Sequence, residues 1–192
     1  MHIYKEMDIW SLISKDNMLK KRKVGCGIVI RDNNGSFELL LIQRSKDDHW
    51  PLYWESPRGG CDKLDKPEAV IDCIKREVKE ESGLDVTPIQ FIDRFNYLNK
   101  EKKTLTTQHN YLCKMKDKHQ EIKLSKEHQD YKWIEISKHA QIQLLVSSKE
   151  MYHTIMKALD MITKDGINVN IPINNTIIKE CVYRIEKNYN KK

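Results

Sequence analysis

Long apolar runs are missing from this 192-residue chain. No stretch approaches the roughly 18 consecutive apolar residues that a membrane-crossing helix needs, which excludes a membrane protein built on helices. The first eight residues, Met1 to Asp8, carry acids early and hold no uninterrupted apolar stretch, so no secretory signal is expected there. Cysteines are odd in number and scattered. Cys26, Cys61, Cys73, Cys113 and Cys181 form no Cys-x-x-Cys pair, so neither a disulfide framework nor a zinc site is expected, and a reducing, cytoplasmic compartment fits best. Internal repeats and low-complexity linkers are also lacking. What remains is a chain of one domain's length, able to bury a core.

What is present in quantity is charge. A hydrophobic fraction of 39% beside 32% charged residues is the balance of a globular protein in water. The net charge of +6 makes polyanionic partners reasonable, with one short cluster at Lys20–Lys23. Charge alone bears on association and steering, not on fold or activity.

Val24–Ile30 reads as a buried strand, Asp32-Asn33-Asn34-Gly35 as a turn, and Phe37–Ile42 as the partner strand. A charged loop follows through Ser45–Trp54. Residues 65–83 carry the strongest helical pattern: Asp65 and Glu68 as a capping box, Pro67 in the first turn, and Gly83 as the stop. Ile89–Leu98, Thr104–Met115 and Tyr131–Ile136 read as strands, Lys149–Lys164 and Thr176–Asn188 as helices. The resulting expectation is an α/β (α+β) fold in three parts: a lead-in over 1–22, a domain over 23–148, and a helical extension over 149–192 packed on it. Met151, Tyr152, Ile155, Met156, Leu159 and Ile162 fall on one helical face and read as core. Residues 137–192 could equally form a dimer surface, cover the sheet or extend a substrate groove.

The chemically informative segment is Arg76-Glu77-Val78-Lys79-Glu80-Glu81-Ser82-Gly83-Leu84. On a helix, Val70, Ile74 and Val78 form one rising row, and Glu77 and Glu81 take over that sector toward the C-terminus with Glu80 beside them. Like charges at i, i+4 cost roughly 0.2–0.5 kcal/mol. Anions in the last turn oppose the helix dipole by roughly 0.3–1 kcal/mol each. Desolvation adds to both. A bound divalent cation would relieve these penalties, and Mg²⁺ favours carboxylate oxygens together with substrate phosphates. The alternative is an ordinary solvated face, neutralised by Arg76 and Lys79.

Gly60, Glu68 and Arg76–Leu84 resemble the Nudix box of hydrolases that act on nucleoside diphosphate-linked compounds. From Glu68 to Leu84 every patterned position matches. Between Gly60 and Glu68 stand seven residues where the pattern has five. The resemblance implies a mixed β-sheet between helices, with extra C-terminal helices here. It further implies one to three Mg²⁺ or Mn²⁺ ions on Glu77, Glu80 and Glu81, with the Gly60 carbonyl as a further ligand. Arg76 would orient a glutamate, and Glu68 would support the loop. Water would attack phosphorus with metal assistance. Glu127, in Leu124–Trp133 ahead of a strand, is the candidate for an extra metal ligand or general base. His128 could meet phosphate or make a structural hydrogen bond, and Tyr131 could stack on a base or pack beneath the loop. Trp133 belongs to the core.

Two subfamilies are echoed. Trp54–Gly60, with its Pro57-Arg58-Gly59, and Asp72–Asp85 resemble the catalytic segment of mRNA-decapping Nudix enzymes, where Arg58 is a candidate substrate contact. Glu121–Trp133 resembles asymmetric dinucleoside tetraphosphate hydrolases. A compact chain without a counterpart of the decapping enzyme's helical regulatory domain favours a dinucleoside polyphosphate. Capped RNA is the alternative, supported by Arg58, Lys20–Lys23 and the basic tail. A damaged-nucleotide hydrolase and a non-catalytic nucleotide sensor are further readings, the sensor disfavoured by the intact charged positions of the box.

Overall fold

A computed structural model describes residues 20–48, 50–61, 68–99, 103–146 and 148–164. In chain order the elements are β1 (Lys20–Asn33), β2 (Ser36–Arg44), β3 (Trp54–Glu55), β4 (Arg58–Gly60), α1 (Val70–Ser82), β5 (Val86–Asn99), β6 (Thr104–Met115), β7 (His128–Glu135), α2 (His139–Leu145) and α3 (Lys149–Lys164). The strands form one mixed sheet in the order β3-β2-β1-β6-β5, with β4 paired to β1 and β7 to β2. Only the β1–β6 pairing within this set is parallel; the other named pairs are antiparallel. The expected β1–β2 hairpin is present. Asn34 and Gly35 both take positive φ, as a two-residue turn matched to strand twist requires, and Asp32 accepts a 2.8 Å hydrogen bond from the Gly35 N–H.

Helices cover both faces. Ile74 and Val78 of α1 pack on Val29, Leu40, Ile42 and Cys113. On the other side Tyr152, Ile155, Leu159 and Ile162 of α3, with Ile142 of α2, pack on Ile28, Leu39 and Leu41. The apolar helical face at Met151–Ile162 is therefore core, with Met156 only partly buried. Trp133 is half-buried beside the α1 cluster, and Arg31 lies 4.2 Å over its ring. The approach of α1 to β1 depends on two glycines: a Cβ at Gly25 would come within 2.8 Å of Ile74, and one at Gly27 within 2.7 Å of Val78.

Four expectations are corrected. β1 begins at Lys20, so residues 20–22 belong to the sheet and not to a lead-in. Helix α1 starts at Val70 with Ala69 as its cap and no side-chain cap bond, and Glu68 is drawn to Arg76 instead of closing a capping box. Asp65, Pro67 and the helix expected at 176–188 lie outside the described residues. Helix α2 has no counterpart in the sequence reading. The fourth concerns cysteine: Cys61 and Cys73, twelve residues apart, are disulfide-bonded with Cα atoms 5.1 Å apart. No Cys-x-x-Cys spacing announces this pair, because strand β4 and helix α1 bring the two thiols together. With this bond present, cysteine spacing does not point to a reducing compartment.

Closing a loop of this size restricts the unfolded chain by about 3 kcal/mol. Oxidised protein should therefore lose about 2–3 kcal/mol of stability in urea when dithiothreitol is added, and a Cys73→Ser variant should not respond. Equal unfolding midpoints with and without reductant would show that these thiols are not bonded.

Candidate active site

The last turns of α1 put two acids where apolar packing would otherwise go. Glu77 and Glu81 are each only 7% exposed, whereas the Glu80 side chain keeps 44% of its surface. Glu77 lies flat against β4: a Cβ on Gly59 would overlap its carboxylate, which is why glycine stands there. Glu81 accepts a hydrogen bond from the Arg58 N–H at 2.9 Å. Burial, then the nearby charges of Glu55, Glu77 and Glu127, push the Glu81 carboxyl well above its usual value despite that N–H.

Arg76 organises the cluster. Its Nη1 donates to Glu77 at 2.6 Å and to Glu80 at 3.2 Å, while Nη2 donates to Glu68 at 2.8 Å and to the Gly60 carbonyl at 2.9 Å. The Glu68 bond, then those charges nearest it, raise the Arg76 pKa and keep the guanidinium charged. The segment lengthened by two residues thus still delivers Gly60 and Glu68 to one guanidinium. Gly60 is flanked from another direction by Arg22, whose Nη2 would stand 2.8 Å from an added Cβ.

Glu127 precedes β7 on a loop strapped to the end of α1. The Lys123 N–H donates to the Ser82 carbonyl at 2.8 Å and the Ser125 N–H to the Glu81 carbonyl at 3.1 Å, satisfying carbonyls that the helix end would leave open. Gly83 caps the same end in the left-handed conformation at φ 77°. Glu127 is exposed, and its charge reaches Glu81. His128 is placed beneath the site, its side chain fully buried, with Nδ1 3.2 Å from Ser125 Oγ and Nε2 3.8 Å from Glu55. Tyr131 is 43% exposed on β7, opposite Ile42 of β2.

The Arg58 guanidinium points away from Glu81. It binds Glu55 through Nε at 2.9 Å and Gln108 through Nη1 at 3.0 Å. Glu55 is the residue that sequence reasoning passed over. It is buried on β3 and held by Arg58, by a short contact from Arg44, and by neighbouring His128. Burial would raise its carboxyl, but His128, Arg58 and Arg44 hold it at about 2. Gln108 continues through Asn110 at 2.8 Å to Asp93, which also accepts from Thr154 at 3.0 Å and Lys157 at 2.6 Å on α3. Tyr97, also not anticipated, is 39% exposed on the same sheet face and stacks at a tilt on Phe95. The available signal was the Trp54–Gly60 segment itself: an acid two residues before a Pro-Arg-Gly run on a short strand.

Comparison with known proteins bears on this geometry. Residues 21–155 match the NUDIX domain family. The mouse bis(5'-nucleosyl)-tetraphosphatase [asymmetrical] is 31% identical over 144 residues, covering 69% of this chain and 90% of the mouse protein. A shorter match, 42% over 66 residues, to the m7GpppN-mRNA hydrolase of Saccharomyces cerevisiae covers 32% of this chain and 6% of the yeast protein. An Ap4A hydrolase of C. elegans, solved as a binary complex, has the same fold with a TM-score of 0.61 at 23% identity, over 74% of this chain and 98% of that one. A box intact from Glu68 to Leu84, a mixed sheet between helices, and a family match across most of the length together mean that this chain belongs to the Nudix hydrolase family.

Proposed function

We propose that this Nudix hydrolase cleaves a phosphoanhydride bond in a dinucleoside polyphosphate, with Mg²⁺ or Mn²⁺ held by Glu77, Glu80 and Glu81 and the Gly60 carbonyl. The observation that carries the reading is the buried, mutually repelling pair Glu77–Glu81 at the end of α1, in a chain that aligns along nine-tenths of a dinucleoside tetraphosphatase. Among the described residues no three potential ligands surround one point; Arg76 bridges Glu77 and Glu80. The donors nevertheless suit a hard cation, being oxygen only, with a carboxyl driven upward by burial and then by its neighbours' charge. One to three such ions, when bound, would polarise the phosphate and neutralise its oxygens.

The chain's own groups have separable tasks in this reading. Arg76 fixes the Glu77 rotamer and the Gly60 carbonyl. Glu127, exposed and strapped against the helix end, takes the proton from the attacking water or adds a carboxylate oxygen to the metal set. Arg58, locked by Glu55 and Gln108, presents its N–H to Glu81 and a fixed positive charge to the substrate side. Tyr97 and Tyr131 supply exposed ring faces for bases. Capped RNA is the second reading, favoured by the 42% identity to the yeast cap hydrolase over the box region. Among the described residues no helix is long and apolar enough to cross a membrane.

Glu80→Gln with Glu81→Gln should lower kcat by about 10²-fold or more and abolish Mn²⁺ binding in calorimetry. Persistent turnover would mean that the acids are misassigned. Glu127→Gln should lower kcat by about 10²–10⁴-fold with little change in KM, and an unchanged kcat would remove Glu127 from proton transfer. In heavy-oxygen water, a dinucleoside tetraphosphate should yield mononucleoside triphosphate and monophosphate, with label in one product. Faster incorporation of label into the products of capped RNA, with steep salt sensitivity, would transfer the assignment to decapping.

A further inference from the structure

The face of the sheet that α1 leaves bare at the β5 edge carries a pattern that the hydrolytic site does not use. Register places residues directly opposite one another on the same face. Lys23 of β1 stands opposite Thr107 of β6, which faces Asn96 of β5. One step along, Gly25 stands opposite His109 and His109 opposite Arg94; the next row is Gly27, Tyr111 and Phe91. Lys21 precedes Lys23 on this face by two residues, about 6.6 Å along the strand. Because Gly25 and Gly27 are the positions that α1 approaches, this is the α1 side of the sheet. Arg58, Gln108 and Asn110 occupy the alternate positions and so the other side.

An irregularity creates the surface. The register of β5 against β6 shifts between Phe91 and Asp93, which leaves Ile92 unpaired. The extra residue puts Phe91 and Arg94, three apart, on one face, where a regular strand would alternate them. A groove of about 590 Å³ opens at this bulge, lined by Phe91, Ile92, Asp93, Arg94, His109 and Tyr111. Phe91 and Tyr111 meet edge to face with centroids 5.3 Å apart, and Phe91 is exposed. Lys21, Lys23 and Arg94 are also exposed. The acid in the lining is turned away: both Asp93 oxygens are engaged on the opposite face by Asn110, Thr154 and Lys157. Among the described residues of β1, β5 and β6 that share the groove's face, none is acidic. Burial, then the charges of Arg94 and Lys23, depress the His109 pKa, which places both cations around one ring.

We propose that this groove and the basic strand end beside it bind single-stranded nucleic acid, separately from the hydrolytic centre: Lys21, Lys23 and Arg94 receive phosphates while Phe91 and Tyr111 receive a base. Cations in a row with an adjoining aromatic face are what a sequence-tolerant single-strand site requires. An acidic peptide would satisfy the cations and leave the rings without a base. The net charge of +6 is in keeping with a polyanionic ligand.

The test uses the full chain and a fluorescein-labelled, uncapped oligouridylate of about twelve nucleotides, a length that spans one site. Anisotropy is read at about 50 and 200 mM salt. Wild-type protein should bind, and Lys23→Glu with Arg94→Glu should weaken binding at least about tenfold and reduce the salt slope by about two. Phe91→Ala should weaken it about tenfold with the slope kept. Hydrolysis of a dinucleoside tetraphosphate should stay within about twofold in every variant, since none of these groups touches the acid cluster. Absent binding at the lower salt, full binding by the charge-reversed variant, or displacement by polyglutamate as efficient as by unlabelled RNA would each overturn the proposal. Loss of hydrolysis in wild-type protein, with RNA binding intact, would count against the hydrolase reading alone.

Discussion

Arg76 donates hydrogen bonds to the Gly60 carbonyl, to Glu68, to Glu77 and to Glu80. The guanidinium is planar, permanently charged and forked, and a lysine in its place could not hold four acceptors in fixed directions. Through it the end of β4, the segment entering α1 and two turns of the helix become one unit. The repulsion built into Glu77, Glu80 and Glu81 needs this tie, since a buried carboxylate without a partner would drive the helix end toward solvent. The Cys61–Cys73 bond fastens the same junction covalently, one turn before Arg76.

A second line of polar groups crosses the sheet on its other face. Lys157 of α3 holds Asp93, Asp93 accepts from Asn110, Asn110 from Gln108, and Gln108 from Arg58, which reaches Glu55. Gln108 and Asn110 are fully buried, so each bond in the series avoids the cost of an unpaired polar group in the interior. The series connects the C-terminal helix to the strand that positions Arg58, and hence to the N–H that Glu81 accepts. Helix α3 is therefore more than a cover for apolar strand residues: its Thr154 and Lys157 terminate a network that begins at the acid cluster.

Local periodicity made much of this visible in advance. The Val70–Ile74–Val78 row, with acids continuing its sector, correctly placed Glu77 and Glu81 in buried positions, while Glu80, expected beside them, keeps 44% of its side-chain surface. The β1–β2 hairpin followed from Asn34-Gly35, and the apolar face of α3 from its spacing. What could not be read is non-local. Glu55 looks like any strand acid until Arg44, eleven residues back, and His128 close around it. The disulfide depends on where β4 leaves the chain relative to α1. Glu68 seemed a helix cap because sequence spacing cannot show that Arg76, two turns later, competes for the same carboxylate and wins with a charge-assisted bond.

The C-terminal end of α1 concentrates these demands. A helix end already carries partial negative charge, and here Glu80 and Glu81 are added to it. The lysine of the last turn, Lys79, turns to the Gly83 carbonyl and Asp85, and the chain meets Glu81 and the helix carbonyls with backbone N–H groups. Gly83, Lys123 and Ser125 donate to helix carbonyls, and Arg58 donates to the Glu81 carboxylate. Such donors are rigid and neutral, so they hold the carboxylate in place without cancelling its charge. A lysine at hydrogen-bond distance would neutralise that carboxylate and, under the proposed function, take the place of the metal ion. Arg58 obeys the same constraint in its own way: the guanidinium is spent on Glu55 and Gln108, and only its amide faces Glu81. Arg76 holds Glu77 and Glu80 by ion pairs and a backbone N–H holds Glu81, so the acids are ordered around the helix end with more negative charge than one guanidinium neutralises, an excess that a divalent cation would relieve under the proposed function.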